Sequence, residues 1–295
     1  MINPQWLRSF TAVSRTGSFT RAADELDLTQ AAVSQHIKSL EAELGPLFVR
    51  RPRNIDLTPA AVALLEYCDE INRADNRLHN RLTDGQQTCG DFTIITPGSI
   101  GLFLYPRLLS LQEANHNLVI RHRFAPDPEI LQAVLENRYE VGLTTVRPDD
   151  PRLSVSHFTE ENLELIVPAE AKVNEWADLE ALGLIDHPDG KAMAKRLLGQ
   201  MFPKNRGLNR MPVRGFSNQV ALILEPVARG LGFTVLPQYA RQVFRDQKRI
   251  RVIRAKFPVI DTIWLIHRSE WPLSARADYV ISKLRGIEMR QDGAE

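Results

Sequence analysis

The chain has 295 residues, of which 43% are hydrophobic and 25% charged, and its formal net charge is +1. This length and composition indicate a globular protein with more than one domain and exclude a single small domain. The near-zero net charge excludes a globally basic molecule, so any affinity for nucleic acid must come from locally placed cations. The two cysteines, Cys68 and Cys89, are too few for a disulfide scaffold or a zinc site, and we expect free thiols. The sequence shows no signal peptide and no apolar run near the ~20 residues of a membrane span, so we expect a cytoplasmic protein without membrane contact.

Three helices are predicted over the first 44 residues. The first spans Pro4 to Ser14, where the proline is tolerated because its missing amide hydrogen would have no helical partner. The second follows the capping residue Ser18, and the third follows Thr29. The third helix is expected to bury one apolar stripe with spacings of four, three and four residues: Val33, Ile37, Leu40 and Leu44.

The opposite face of the third helix carries small, amide-bearing or cationic side chains. These are Gln30, Ala31, Ser34, Gln35 and Lys38. Such side chains can hydrogen-bond base edges or touch a thymine methyl group without preventing close approach to a major groove. We therefore predict a helix-turn-helix in which the first four contact base edges, while Lys38 and Thr29 contact phosphates. The alternative is a solvated helix pair in an ordinary core.

A short cationic segment follows this helix. Arg50, Arg51 and Arg53 lie between the apolar pairs 47–48 and 55–57. This composition is typical of a winged hairpin, whose tip can follow a phosphate backbone or enter a minor groove. We predict that the three arginines contact DNA.

Residues 5 to 65 resemble the winged helix-turn-helix of the LysR-type transcriptional regulators. The resemblance is carried by GSFTRAA, LTQAAVSQHIKSLE, the arginines and LTPA, which occur in the family's order. The chain departs from the family pattern in LGPLF, which is one residue shorter than LGxPLF, and in Ala61, where glycine is common. The resemblance implies a transcriptional regulator that binds double-stranded DNA sequence-specifically.

A long helix is predicted from Thr58-Pro59 to about Thr83. Its apolar stripe alternates spacings of four and three, as in a coiled-coil seam. We predict a dimer interface formed by Leu64, Cys68, Ile71, Leu78 and Leu82, with Asp75 in the same stripe. The resemblance implies antiparallel pairing with a second copy, and a homotetramer if the effector domains add a second interface. The alternative is packing of this stripe on the chain's own C-terminal half.

Beyond a polar linker at residues 84–91, strand and helix patterns alternate, which favours parallel strands with helical crossovers. Strands are predicted at 92–96, 117–125, 139–146, 163–168, 212–217, 232–236, 250–255 and 261–269. Helices are predicted within 97–115 and at 127–138, 176–181, 190–202, 218–230, 237–245 and 274–285.

This half resembles the effector-binding domain of the same regulators, a two-lobed fold like that of the periplasmic binding proteins. The resemblance implies an α/β protein overall, with a mainly α winged helix-turn-helix at 1–58 and a linker helix and hinge at 59–90. The effector-binding domain then covers 91–295. Its lobe I comprises about 91–162 and 268–295, its lobe II comprises about 163–267, and the chain crosses between them near 163–167 and 263–267.

Hydroxyl and amide groups are expected to converge between the lobes, because ligands of open α/β sheets bind beyond the carboxyl ends of strands. The predicted effector contacts are Ser99, Ile100, Thr144, Thr145, Phe216, Ser217 and Asn218, with Phe124 and Pro126 as an apolar wall. This set suits a small carboxylate effector. The alternative for each hydroxyl is helix capping. His122 and His187 are interpreted as structural.

Enzyme chemistry has little support, because the chain contains no phosphate loop, GxSxG elbow or HExxH helix. We expect no catalytic activity, cofactor or metal. One competing hypothesis is a two-lobed small-molecule-binding protein or enzyme that does not bind DNA. Another is an architectural protein that bends DNA without sequence preference.

Overall fold

The structure is a computed structural model that describes residues 2–51, 54–82, 87–203, 205 and 207–288. The chain divides into two compact units, Met1–Leu82 and Thr83–Glu295. The mixed α/β architecture predicted from the sequence is confirmed. The long helix groups with the N-terminal unit.

The N-terminal unit contains four helices and a two-stranded hairpin among its described residues. The helices are α1 (Pro4–Thr16), α2 (Phe19–Glu25), α3 (Gln30–Leu44) and α4 (Pro59–Leu82). The antiparallel strands are β1 (Phe48–Arg51) and β2 (Asn54–Leu57). The predicted caps form: Ser18, Thr29 and Thr58 accept bonds from the amides of residues 21, 32 and 61. Gly17 ends α1 with a positive φ of 64°, a conformation that a side chain would disfavour.

The core of this unit corrects two predictions about apolar stripes. Val33, Ile37 and Leu40 are buried as expected, whereas Leu44 is exposed because the helix ends there and the chain turns away. Leu64 and Cys68 of α4 are buried in the unit's own core, with Ile71 packed against it. The first half of the stripe therefore covers α1 and its neighbours, and Leu64 and Cys68 are not available to a second copy.

The second unit alternates strands and helices. Its strands are β3 (Gly90–Thr96), β4 (Leu118–Phe124), β5 (Val141–Thr144), β6 (Leu153–Pro168), β7 (Leu184–Asp186), β8 (Val213–Phe216), β9 (Thr234–Pro237), β10 (Ile250–Ile253) and β11 (Ile260–Arg268). Its α-helices are α5 (Gly98–Ala114), α6 (Asp127–Leu135), α7 (Trp176–Leu182), α8 (Gly190–Met201), α9 (Leu224–Ala228), α10 (Gln238–Gln242) and α11 (Ala275–Glu288). Short 3₁₀ turns lie at Leu208–Arg210, Val220–Leu222 and Gln247–Arg249.

The first part of this unit is a sheet in which β3 lies between β4 and β5, all three parallel, as the alternating pattern predicted. The strand β11 runs antiparallel to β5 and β6 at the other side. Residues of β3, α5 and α11 share one apolar cluster, and residues of β3 and α6 share another. The carboxyl ends of β3, β4 and β5 therefore reach the same edge of the sheet.

The strand β6 connects this sheet to the second part of the unit. It is continuous for 16 residues, whereas the sequence predicted only 163–168. Its residues up to Asn162 pair with β11, and those from Leu163 pair with β9 or β10. The chain thus crosses at Asn162–Leu163, in agreement with the prediction.

The predicted return crossing near 263–267 is wrong. Residues 260–268 already pair with β5 and β6 of the first sheet. The return therefore lies between Ile253 and Ile260, and β11 belongs to lobe I rather than to lobe II.

The predicted continuous helix at 218–230 is also wrong. It is divided into a 3₁₀ turn, a turn residue and the short helix α9, with Pro226 in the first turn of α9. Proline clashes with the carbonyl four residues before it, so the α-helix cannot extend far before Pro226. This break leaves Ser217 and Asn218 in a loop and not at an α-helix cap.

Candidate functional site

The exposed face of α3 lies where the sequence predicted it. Gln30, Ala31, Gln35 and Lys38 are exposed, and Ser34 is half-buried. The Thr29 hydroxyl accepts a hydrogen bond from the Ala32 amide at 3.1 Å, which starts the helix and places its first turn at the surface. No large apolar side chain lies among these predicted contacts, so the face can approach a nucleic-acid groove closely.

A polar contact that sequence reasoning missed sets the rotation of α3. His36 Nδ1 lies 2.8 Å from the hydroxyl of Ser9, a fully buried residue of α1. His36 is half-buried and neighbours Gln35 on the helix. A serine within the apolar set of α1 is the only sequence signal that could have indicated this contact. The hydrogen bond fixes which side chains of α3 face outward.

The hairpin β1–β2 is held to α3 through Glu41. One carboxylate oxygen of Glu41 accepts the amides of Leu47 at 3.0 Å and Phe48 at 3.3 Å. Thr58 adds bonds from its amide to the Leu47 carbonyl and from its hydroxyl to the Pro46 carbonyl. These contacts anchor the last three residues of the short LGPLF segment.

The structure describes only part of the predicted wing arginines. Arg50 and Arg51 belong to β1, but their side chains are outside the described part of the structure, and Arg53 lies outside the described residues altogether. Their contacts with DNA remain predictions.

In the second unit, three of the predicted effector segments follow β3, β4 and β5 at one sheet edge. Ser99 opens α5 after β3, Pro126 precedes α6 after β4, and Thr144 ends β5. A Cβ atom added to Gly98 would lie 2.6 Å from Val220 Cγ2. The start of α5 therefore lies against the 3₁₀ turn that follows Ser217, so these segments from the two sheets do meet.

Several of the predicted effector residues are already engaged by their own neighbours. The amide and hydroxyl of Thr145 each donate to Asp127 Oδ2 at 2.9 Å, and the buried Thr144 hydroxyl donates to the Val146 carbonyl. The Ser217 hydroxyl accepts the Gln219 amide at 3.1 Å. These hydroxyls are therefore engaged by other residues of the second unit, although none of the three caps a helix as the alternative interpretation expected.

The apolar predicted contacts divide between core and surface. The Ile100 side chain is fully buried in the core of the first sheet, so at most its backbone can face a ligand. Phe124 and Phe216 are exposed, as are Pro126 and Asn218. Phe124 stacks on His122, with ring centroids 4.5 Å apart.

Each histidine that the sequence suggested as structural has one ring nitrogen close to a hydrogen-bonding partner, while Nδ1 of His122 is buried without a partner among the described residues. His122 Nε2 lies 2.8 Å from the Thr96 hydroxyl, and burial lowers the pKa of His122 to about 4. His187 Nε2 lies 3.0 Å from the Val235 carbonyl.

Ser99 differs from the other hydroxyls because its partner is a buried acid. Its hydroxyl lies 3.1 and 3.2 Å from the two carboxyl oxygens of Glu161, on β6 beside the strand crossing. The pKa of Glu161 is raised to about 8, chiefly by burial; the Ser99 hydrogen bond opposes this shift and the nearby Asp261 adds to it. Glu161 could not be singled out from the sequence, because Glu160, Glu161 and Glu164 lie close together and strand alternation alone does not identify the buried one.

The side-chain contacts around the strand crossing at Asn162–Leu163 were also not predicted from the sequence. Arg196 of α8 donates to both carboxylate oxygens of Asp261 on β11. The Asn162 side-chain amide donates to Gln238 Oε1 at 2.9 Å, and the Tyr239 hydroxyl lies 3.1 Å from that of Thr159. The crossing is therefore a polar junction between the two sheets.

Two family descriptions match consecutive parts of the chain. "Bacterial regulatory helix-turn-helix protein, lysR family" matches residues 4–62, and "LysR substrate binding domain" matches residues 85–286. The chain is 25% identical over 293 residues to the HTH-type transcriptional activator CmpR of Synechocystis sp., with 96% of each chain covered. It is 24% identical over 297 residues to the RuBisCO operon transcriptional regulator of Allochromatium vinosum, covering 96% of this chain and 97% of that one.

Solved structures share the fold. Full-length CbnR complexed with its target DNA gives a TM-score of 0.70 at 20% identity, covering 96% of this chain and 98% of that one. Full-length OxyR from Pseudomonas aeruginosa gives 0.60 at 18% identity, covering 97% and 98%. No helix within the described residues is long and apolar enough to cross a membrane.

Proposed function

Because this chain belongs to the LysR family of bacterial transcriptional regulators, we propose that it recognises its operator by inserting the N-terminal half of α3 into a major groove. Gln30, Ala31, Ser34 and Gln35 contact base edges in this proposal. Thr29 and Lys38 contact phosphates, and Arg50, Arg51 and Arg53 extend the contact along the backbone. The observation that carries the proposal is the exposed polar face of α3 opposite its buried stripe.

We propose that the protein acts as a homo-oligomer paired through α4. The apolar residues of α4 that remain exposed support this assignment: Val62, Tyr67 and Leu78. Ile71 of the same helix is half-buried, whereas Leu64 and Cys68 are buried in the unit's own core. The related CbnR has been crystallised on its target DNA as a full-length protein. Pairing of two copies places two α3 helices on one DNA site, which is how dimeric helix-turn-helix proteins read two half-sites.

A small effector is proposed to bind between the two sheets of the second unit. The meeting of the α5 start with the turn after Ser217 supports this location. The sequence predicted a carboxylate effector at this place. The Ser99 hydroxyl at this place is already hydrogen-bonded to the carboxyl group of Glu161, so an anion bound there would lie beside an acidic side chain.

Salt dependence of DNA binding tests the wing. The triple variant Arg50→Ala, Arg51→Ala, Arg53→Ala removes phosphate contacts. Because log K falls as log salt rises, each lost contact should make this negative slope shallower by about 0.9. The measurement is a fluorescence-anisotropy titration of the full-length chain on DNA from upstream of its own gene, repeated over a range of salt concentrations. The matched control removes three exposed arginines of the second unit: Arg210, Arg245 and Arg254. An unchanged slope in the wing variant would remove the wing from the DNA contact.

A further inference from the structure

Two acidic residues lie side by side at the strand crossing, and they differ in their partners. Glu161 of β6 and Asp261 of β11 are directly paired across antiparallel strands, so their side chains emerge on the same face. Asp261 is paired with the Arg196 guanidinium. Glu161 is 1% exposed, accepts from Ser99, and forms no ion pair with any residue that the structure describes.

A buried carboxylate without a cation is costly, because it has lost its hydration and gained no opposite charge. The neighbouring Asp261 adds repulsion, and the raised pKa of Glu161 reflects both effects. A hydroxyl such as that of Ser99 can satisfy hydrogen bonding but cannot supply charge. In the free protein the Glu161 carboxyl group holds a proton instead, and the group that could replace this proton is a cation with N–H donors, the kind of partner that Arg196 already gives to Asp261.

We infer that the effector of this regulator carries an ammonium or guanidinium group that pairs with Glu161. The inference rests on the proposed function, because it takes the junction near Ser99 as part of the effector site. It changes the expected class of ligand, since a carboxylate bound at the Ser99 hydroxyl would lie against a second carboxyl group. A zwitterion fits only if its cationic end faces Glu161.

The location of Glu161 gives such a ligand a means of acting on the protein. Glu161 immediately precedes the point where β6 changes its pairing from β11 to β9. Ser99 opens α5, whose first turn lies against the 3₁₀ turn at Val220, which follows β8. A cation bound at Glu161 therefore contacts the strand that joins the sheets and lies beside the place where they touch.

The test is a thermal-shift titration of the full-length protein with matched probes at constant ionic strength. The cationic probes are alkylguanidinium and alkylammonium ions from methyl to butyl. The neutral isosteres are the corresponding alkylureas and alcohols, and the anions are the corresponding carboxylates. At least one cation is expected to raise the unfolding temperature saturably, while its neutral isostere and the carboxylates do not. Glu161→Gln keeps the shape of the side chain and should weaken binding of that cation at least about tenfold.

Glu160→Gln is the matched control, because Glu160 is exposed on the same strand and should leave the cation response unchanged. Any of four results would overturn the inference. These are equal stabilisation by a cation and its isostere, stabilisation by a carboxylate alone, no response to any cation, and a full cation response in Glu161→Gln. If Glu161→Gln fails to fold, the comparison of cations with their neutral isosteres on the unaltered chain still tests the inference. Titration with upstream DNA runs separately, so loss of DNA binding would count against the proposed function and not against the cation site.

Discussion

Ser99 and Glu161 form a buried hydrogen-bonded pair at the start of α5, with the hydroxyl 3.1 Å from the nearer carboxyl oxygen. The position of Ser99 after a parallel strand could be predicted, because strand ends follow from local hydrophobic patterning. Its partner is 62 residues away, and pairing at that distance depends on how β6 continues into the second sheet. Thr144, Thr145 and Ser217 were singled out on the same grounds, and each is engaged within its own turn or by Asp127.

Glu161 makes a prediction for stability against pH. Its pKa is about 8 in the folded chain against an ordinary value of 4.5, so the folded state holds this proton more tightly than the unfolded state does. The stabilisation is fully present below about pH 4.5 and is lost as pH rises toward 8, with a slope of at most about 1.4 kcal/mol per pH unit.

The measurement is the free energy of unfolding of the full-length chain from urea titrations between about pH 5 and pH 8. The comparison with Glu161→Gln cancels the contributions of other titrating groups, including His122. The original chain should lose stability relative to the variant as pH rises. Parallel pH profiles for the two proteins would show that Glu161 does not hold a proton over this range, and Glu160→Gln should follow the original chain.

At the scale of the element, α4 shows what a heptad-like pattern can and cannot indicate. The spacing correctly predicted one long helix of 24 residues, capped by Thr58. It did not say which surface covers the stripe, because apolar periodicity is the same whether the cover is another copy or the same chain. Leu64 and Cys68 are covered by the protomer's own core, while Leu78 remains exposed.

Leu78 is therefore the position at which pairing through α4 can be tested without disturbing the core. Leu78→Asp places a charge in the proposed contact and should weaken self-association at least about tenfold, since a buried unpaired charge is strongly unfavourable. Leu78 is 54% exposed and Leu231 is 55% exposed, so Leu231→Asp is a matched control in the second unit. Sedimentation velocity over a concentration series should show dissociation only for Leu78→Asp, and a dimer that persists in this variant would place the interface elsewhere.

Some strands of the second unit could be predicted from the sequence and others could not. The strands β3 and β5 were predicted because buried strands give apolar runs bounded by helices. The largely exposed β4 was predicted from the alternation of strand and helix patterns. The first part of β6 was missed because it is polar, with residues such as His157 and Glu160 exposed, and it becomes a strand by pairing with β11. A partner strand that lies this far along the chain, as Arg268 does from Leu153, leaves no local signal.

At the scale of the whole molecule, the family was identified from long sequence motifs and not from composition. A net charge of +1 gave no indication of DNA binding, whereas the order of residues from Gly17 to Leu57 identified the family. The buried stripe of α3, the Ser9 contact to His36 and the Glu41 anchor of the hairpin together hold one polar face outward. The proposed function depends on that face being the surface that reads bases.

Specificity of the full-length chain and of Gln35→Ala tests this directly. The measurement is the ratio of dissociation constants for a scrambled fragment and for the chain's own upstream DNA, at one salt concentration. The original chain should bind its own DNA at least about 10³-fold more tightly. Gln35→Ala should reduce that ratio about 5- to 150-fold, equivalent to about 1–3 kcal/mol, and should leave the affinity for the scrambled fragment unchanged. The control Gln200→Ala should keep the full ratio. Equal affinity of the original chain for both fragments, or a full ratio in Gln35→Ala, would contradict the account.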